Sequence, residues 1–273
     1  EFFQPLCDLG TFYHAKAQAI GAADSLKTFM ETLLAQAERG EKTLSDHELI
    51  RLEARDLMVK SPEGKTLAGP LSFTLNAGER VVLVGQSGSG KSSLLNTLTG
   101  FLPYEGSLQV NGVELRDLDA ERWRRLISWV GQNPQLPAAT LRENVLLAWP
   151  EATEAQLQLA LDKAWVSEFI SQLPQGINTP LGDQAGGLSV GQAQRIAVAR
   201  ALLVPCRLLL LDEPAASLDA HSEQRVMQAL SNASTQQTTL MVTHQLAGLA
   251  EWDAIWVMQD GQIVEQGGYA QLS

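Results

Sequence analysis

Residues 85–92 read Gly85-Gln86-Ser87-Gly88-Ser89-Gly90-Lys91-Ser92. The β-formers Val81-Val82-Leu83-Val84 precede them, and the apolar-periodic segment Ser93-Leu94-Leu95-Asn96-Thr97-Leu98 follows. No other feature constrains the chain as strongly. The pattern G-x-x-x-x-G-K-[ST] in this setting predicts a strand, a glycine turn and a helix. That arrangement aims several backbone N–H groups and a helix N-terminus at one anion. The glycines allow close approach without a Cβ clash. Lys91 adds a mobile positive charge suited to β and γ phosphates, and Ser92 offers a hydroxyl suited to Mg²⁺.

Composition narrows the function classes. With 273 residues there is room for one large or two small domains. The formal net charge, 20 − 31 = −11, argues against a broad nucleic-acid footprint, so no nucleic-acid partner is expected. Cys7 and Cys206 show neither metal spacing nor a disulfide framework, and a reducing compartment is the default. Cys206 adjoins an apolar strand and is expected to be buried and inert. No apolar run reaches about 18 residues, the length that marks a membrane span. The opening Glu1-Phe2-Phe3-Gln4-Pro5-Leu6 lacks the basic start and long apolar core of a signal peptide. The chain is expected to be a piece of a longer polypeptide.

Helical spacing marks residues 1–35, and the polar stretch 36–49 reads as a linker. Short strands follow over about 50–84, with turns at Pro62-Glu63-Gly64-Lys65 and Asn76-Ala77-Gly78-Glu79. Gly106–Gly112 reads as a strand with a turn, and residues 120–127 as a helix. Residues 140–173 are mostly helical, punctuated by Pro150, Pro174 and Pro180. Ser189–Leu203 is a further helix. Leu208-Leu209-Leu210-Leu211 and Thr239-Leu240-Met241-Val242 are continuous apolar runs, the pattern of parallel strands covered on both faces. Ile255–Met258 and Gln262–Val264 flank Asp260-Gly261 as a hairpin.

Two apolar strands end in chemistry. Leu208–Leu211 runs into Asp212 and Glu213, and ligands of open α/β sheets bind at such carboxyl ends. Asp212 is suited to Mg²⁺, directly or through water, and Glu213 to polarising a water that attacks a γ phosphate. Thr239–Thr243 ends in His244, whose ring can hydrogen-bond that phosphate or water; His14, His47 and His221 read as structural. Leu188-Ser189-Val190-Gly191-Gln192 opens a helix with Ser and Gly, a second anion site by dipole and free N–H groups. One nucleotide does not need two such helix ends from one chain, so the second points to a phosphate held by another chain.

These segments, in this order, resemble the nucleotide-binding domain of ABC transporters over residues from about 50 to 270. The matches are Walker A at Gly85–Ser92, the Q-loop at Gly131-Gln132 and the signature at Leu188–Gln192. Walker B follows at Leu208–Asp212 with Glu213 next, then the D-loop Ser217-Leu218-Asp219 and the switch histidine His244. Thr140–Val145 and Thr179–Asp183 resemble the exporter branch. The resemblance implies an α/β fold: a P-loop NTPase core with a mostly parallel sheet, an antiparallel β subdomain and an inserted helical subdomain at about 133–200. It implies a domain over 50–273, with 1–35 as the cytoplasmic end of the last transmembrane helix.

Carried over by position, Gly85, Gln86, Ser87, Gly88, Ser89, Gly90, Lys91, Ser92 and Ser93 would hold ATP. Ser92, Gln132 and Asp212 would serve Mg²⁺. Glu213, His244 and Gln132 would be catalytic, and Ser189, Gly191 and Gln192 would face the partner's ATP. Asp219 would cross the dimer interface. A narrower resemblance, carried by Glu1–Tyr13, Trp129–Pro137, Leu188–Gln192 and Asp212–His221, is to one subunit of the heterodimeric bacterial exporters of cysteine and glutathione that support cytochrome bd assembly. It implies a related C subunit as partner, a small thiol substrate, a transmembrane domain outside this chain, and a place at the cytoplasmic face of the inner membrane.

Two positions depart from the family pattern. Ser61 stands where an aromatic usually stacks on adenine, and Val190 where the signature usually has its first glycine. They imply two unequal composite ATP sites. A soluble cassette ATPase acting on DNA or ribosomes, an importer ATPase, and a low-turnover pairing module are the alternatives the residues leave open.

Overall fold

Four consecutive leucines, Leu208–Leu211, demand apolar cover on both faces of a strand, and the layers around them supply it. The computed structural model describes residues 40–272 except 46, 135, 182–186, 217, 235–236 and 245–248. The helix read at 1–35, Cys7, Ser217 and Gly182-Asp183 therefore lie outside the described residues. The described residues within 40–49 form no helix, and Lys42 makes an isolated bridge to Leu118.

Among the described residues the first elements are three strands, β1 (Leu52–Lys60), β2 (Thr66–Leu75) and β3 (Arg80–Gly85), and then α1 (Lys91–Leu98). Next come β4 (Tyr104–Val110), β5 (Val113–Glu114), α2 (Ala120–Arg125) and β6 (Ile127–Val130). A helical stretch follows: α3 (Leu141–Leu146), α4 (Glu154–Lys163), α5 (Ser167–Ile170) and α6 (Val190–Leu203). The chain then runs through β7 (Leu208–Asp212), α7 (Ala220–Ser234), β8 (Thr238–Thr243), β9 (Ala254–Gln259) and β10 (Gln262–Gly267). One sheet has the order β2-β1-β4-β5 with antiparallel pairing. The other has the order β10-β9-β3-β8-β7-β6 and is parallel except for its terminal hairpin β9–β10.

The period-2 alternation of strands splits the core in two. Val81, Leu83, Leu208, Leu210, Leu240 and Val242 pack towards α1 and the antiparallel sheet. Val82, Val84, Leu209, Leu211 and Met241 pack towards the helices α3–α7. Cys206 is buried at the end of the second layer, where burial pushes its thiol up, as an inert thiol requires.

The helix expected at 120–127 stops at Arg125. Ile127–Val130 forms an edge strand instead, paired in register with Leu208–Leu211. Three helices open on one chemistry. Thr140 with Glu143, Thr153 with Gln156 and Ser189 with Gln192 are reciprocal capping boxes before α3, α4 and α6.

Charge ties the helical stretch to the core. Glu168 on α5 takes Arg195 of α6 at 2.9 Å and Arg225 of α7 at 2.9 Å. The two guanidiniums also lie over Phe169 and Trp165, at 4.8 and 4.0 Å from the ring centres. Arg195 keeps only 7% of its side chain exposed. We therefore expect Glu168→Ala, which removes a partly exposed partner from a buried guanidinium, to lower the unfolding free energy by about 1–3 kcal/mol. Glu121→Ala, which breaks an exposed pair with Arg125, should stay within about 0.5 kcal/mol. Urea midpoints of the two variants check this.

Candidate functional site

A parallel sheet delivers the ends of its strands to one edge, and here three neighbouring strands deliver the residues singled out in the sequence. Val84 of β3 pairs with Thr243 of β8, and Asp212 of β7 with Val242 of β8. The glycine turn, Asp212-Glu213 and His244 therefore leave the sheet side by side. They line a cleft of about 620 Å³ together with Gln132.

The turn itself is built as its sequence requires. Gly88 and Gly90 have φ of +81° and +96°, a region that side chains disfavour. Gly90 is also packed, since a Cβ there would lie 2.8 Å from Ala68 Cβ. It leads directly into α1.

Lys91 is 7% exposed. Its ammonium donates to Gly85 O and Gln86 O, both at 2.7 Å, which curls it back over the turn. Burial holds this ammonium below the usual lysine range, against the pull of Glu213 and Asp212. Ser92 Oγ donates to Asp212 Oδ1 at 3.1 Å. Burial pushes the Asp212 carboxyl above the ordinary aspartate range, and the neighbouring Glu213 charge adds to this while Ser92 and Lys91 oppose it. A hydroxyl and a carboxylate in contact are a donor set for a small hard cation.

Glu213 sits at φ +49°, a strained region for a residue with a side chain. Its N–H donates to Val242 O at 2.9 Å, so the neighbouring strand holds it there. Its carboxylate meets His244 Nδ1 at 2.9 Å. Gln132 is exposed on the loop after β6 and lines the same cleft.

The signature residues lie elsewhere. Ser189, Gly191 and Gln192 are not among the residues lining the cleft. Ser189 Oγ accepts from Gln192 N at 3.1 Å, while Gln192 Oε1 accepts from Ser189 N at 2.9 Å. Val190 is 59% exposed. Gly191 faces inward, where a Cβ would lie 2.2 Å from Ser222 Oγ on α7. Asp219 caps α7 through His221 N and Ser222 N, at 3.1 and 3.0 Å.

Ser61 heads the turn after β1, taking Lys65 N on its hydroxyl at 3.2 Å. The residue of this region that reaches the cleft is Leu67 of β2, which the sequence did not single out. Nothing in local spacing marks Leu67; only the packing of Ala68 against Gly90 brings it there.

A family model described as ABC transporter matches residues 68–216. The chain belongs to the ABC transporter family. It is an ATP-binding domain of that family. It is 74% identical over 273 residues to the Escherichia coli K12 glutathione/L-cysteine transport system ATP-binding/permease protein CydD, covering 100% of this chain and 46% of that protein. It is 60% identical over 274 residues to the Providencia stuartii transport ATP-binding protein AarD, with the same coverage. The chain thus spans about half the length of the curated relatives it matches. Among solved structures, a bacterial Atm1-family ABC exporter with ATP bound superimposes with a TM-score of 0.78. The identity is 28%, over 86% of this chain and 41% of that one. Among the described residues no helix is long and apolar enough to cross a membrane.

In this ABC domain the contact between Gly191 and Ser222 leaves no room for a methyl group. Gly191→Ala should cost about 1–3 kcal/mol. Adding Ser222→Gly should recover much of that loss, as read by thermal melting of the single and double variants.

Proposed function

We propose that this chain binds and hydrolyses ATP to drive a membrane exporter, and that the exported molecule is glutathione or cysteine. The observation that carries the ATPase reading is the meeting of Lys91, Ser92–Asp212 and Glu213–His244 in one cleft at the carboxyl edge of the sheet. The substrate reading rests on the names of the relatives in Escherichia coli and Haemophilus influenzae. Substrate contacts would lie in the transmembrane part, outside this chain.

The N–H groups of Gly88–Ser93 would donate to the phosphate oxygens, and Lys91 would turn from Gly85 O and Gln86 O to share its protons with the β and γ groups. Ser92 and Asp212, with Gln132 at the rim, would hold Mg²⁺, which neutralises phosphate charge when bound. Glu213 would take the proton of the attacking water as its oxygen bonds to the γ phosphorus. The bond from that phosphorus to the β–γ bridging oxygen breaks, and ADP leaves. His244, hydrogen-bonded to Glu213, would keep that carboxylate aimed and would itself donate to the γ phosphate.

The helix start at Ser189, where Val190 is exposed, would complete a nucleotide site on a second chain. The partner we propose is the related C subunit, giving a heterodimer whose ATP-binding domains lie at the cytoplasmic face of the inner membrane. In that setting it would serve cytochrome bd assembly. The exposed branched side chain of Val190 and the absence of an aromatic at Ser61 support two unequal ATP sites.

In the full-length assembled transporter, Lys91→Ala should weaken ATP binding. Glu213→Gln should keep ATP binding and reduce turnover by about 10²–10⁴-fold. Equilibrium ATP binding and phosphate release check both. Thiol transport into inverted vesicles tests the substrate: ATP-driven uptake of glutathione or cysteine supports the reading, and uptake of neither removes it.

A further inference from the structure

Helix α6 carries a polar side chain that neither the motifs nor the cleft account for. Gln194 is 1% exposed. Its Nε2 donates to Gly131 O at 2.9 Å and to Pro214 O at 2.7 Å. Gly131 immediately precedes Gln132, and Pro214 immediately follows Glu213. A primary carboxamide has two N–H bonds, and both are spent here on backbone carbonyls. The orientation is fixed, because turning the amide over would set Oε1 against two carbonyl oxygens.

Oε1 itself has no hydrogen-bond partner. A buried acceptor without a partner costs stability. What the amide contributes at this site is therefore its two donors. Those donors do one thing: they hold the loop bearing Gln132 and the loop bearing Glu213 to a single point on α6. The same helix begins at Ser189, the end proposed to meet a neighbouring chain's nucleotide, and Gln194 lies little more than one turn further on.

We propose that Gln194 is a positioning residue for γ-phosphate cleavage. Through two backbone carbonyls it sets Gln132 and Glu213 relative to one another. It thereby links the chain's own phosphate site to the helix end that senses the nucleotide of the neighbouring chain. This rests on the ATPase reading given above. A displacement of α6 on contact with that nucleotide would move both loops together, so hydrolysis would follow assembly.

The test uses the full-length transporter assembled with its partner in membranes. Gln194→Met keeps length and volume but has no donor. We expect the half-saturating ATP concentration to stay within about twofold and kcat to fall about ten- to a hundredfold. The half-saturating Mg²⁺ concentration should rise, because Gln132 is no longer held. Should Gln194→Met fail to assemble, Gln194→Asn takes its place, since it retains the amide and withdraws it by one methylene. The same split between kcat and the ATP half-saturation is expected. Unchanged kcat and Mg²⁺ dependence would overturn the proposal, and so would parallel losses of ATP affinity and thermal stability, which mark a merely structural role. Glu213→Gln is measured alongside. If it leaves turnover intact, the ATPase reading itself fails, whatever Gln194→Met does.

Discussion

An ammonium group buried at the carboxyl edge of a parallel sheet is the constraint on which this molecule turns. Lys91 is almost wholly enclosed, and its ammonium donates to Gly85 O, Gln86 O and, at 3.4 Å, Ser89 Oγ, all within its own loop. Two carbonyls and a hydroxyl take its protons but do not balance its charge. The nearest carboxylates, Asp212 and Glu213, pull on it through space, yet burial still depresses its affinity for a proton. Asp212 is displaced in the opposite sense by the same burial and by Glu213 beside it. A lysine and an aspartate set side by side in one cleft, each with its charge disfavoured by burial, suit a ligand that brings anionic phosphates and a cation together. At Gly88 and Gly90 the turn has no Cβ to keep an anion away from its backbone N–H groups.

Helix α6 is the second organising element. Its first turn packs Gly191 against Ser222 so tightly that no side chain fits. Its next turn holds two loops through Gln194 and pairs Arg195 with Glu168. Further on, Arg200 donates to Asn144 O at 2.8 Å, and Asn144 in turn donates to Pro137 O at 3.1 Å on the loop beyond Gln132. One helix thus touches the start of α7, the loop after Glu213 and the start of the Gln132 loop, and reaches the far end of that loop through Asn144 of α3. A helix so placed cannot shift alone. This is the physical content of the proposal that a neighbouring chain's nucleotide governs hydrolysis in the cleft.

Much of this was legible in the sequence because it is encoded locally. The strand–glycine–helix unit, the leucine run ending in Asp212-Glu213 and the strand ending at His244 each occupy contiguous residues, and sheet topology alone brings their ends together. What escaped is encoded across distance. Strand β6 was missed because Ile127-Ser128-Trp129-Val130 buries its serine, which is tolerable only since Ser128 Oγ donates to Ala201 O at 3.0 Å. Gln194 reads as one more polar residue in a helix until residues 63 and 20 positions away supply its acceptors. Leu67 and Ser222 are ordinary residues made specific by what packs on them. The strain at Glu213 is equally invisible in one dimension, since its positive φ accompanies a long-range bond from its N–H to Val242 O on the neighbouring strand.

The most direct measurement is a structure of the full-length transporter, assembled with its partner and trapped with ATP and Mg²⁺. The account predicts one triphosphate on the N–H groups of Gly88–Ser93, and Ser189 with the first N–H groups of α6 on the triphosphate gripped by the other chain. A trapped complex in which the start of α6 turns to its own chain's nucleotide, or meets no nucleotide while both sites are filled, would contradict it.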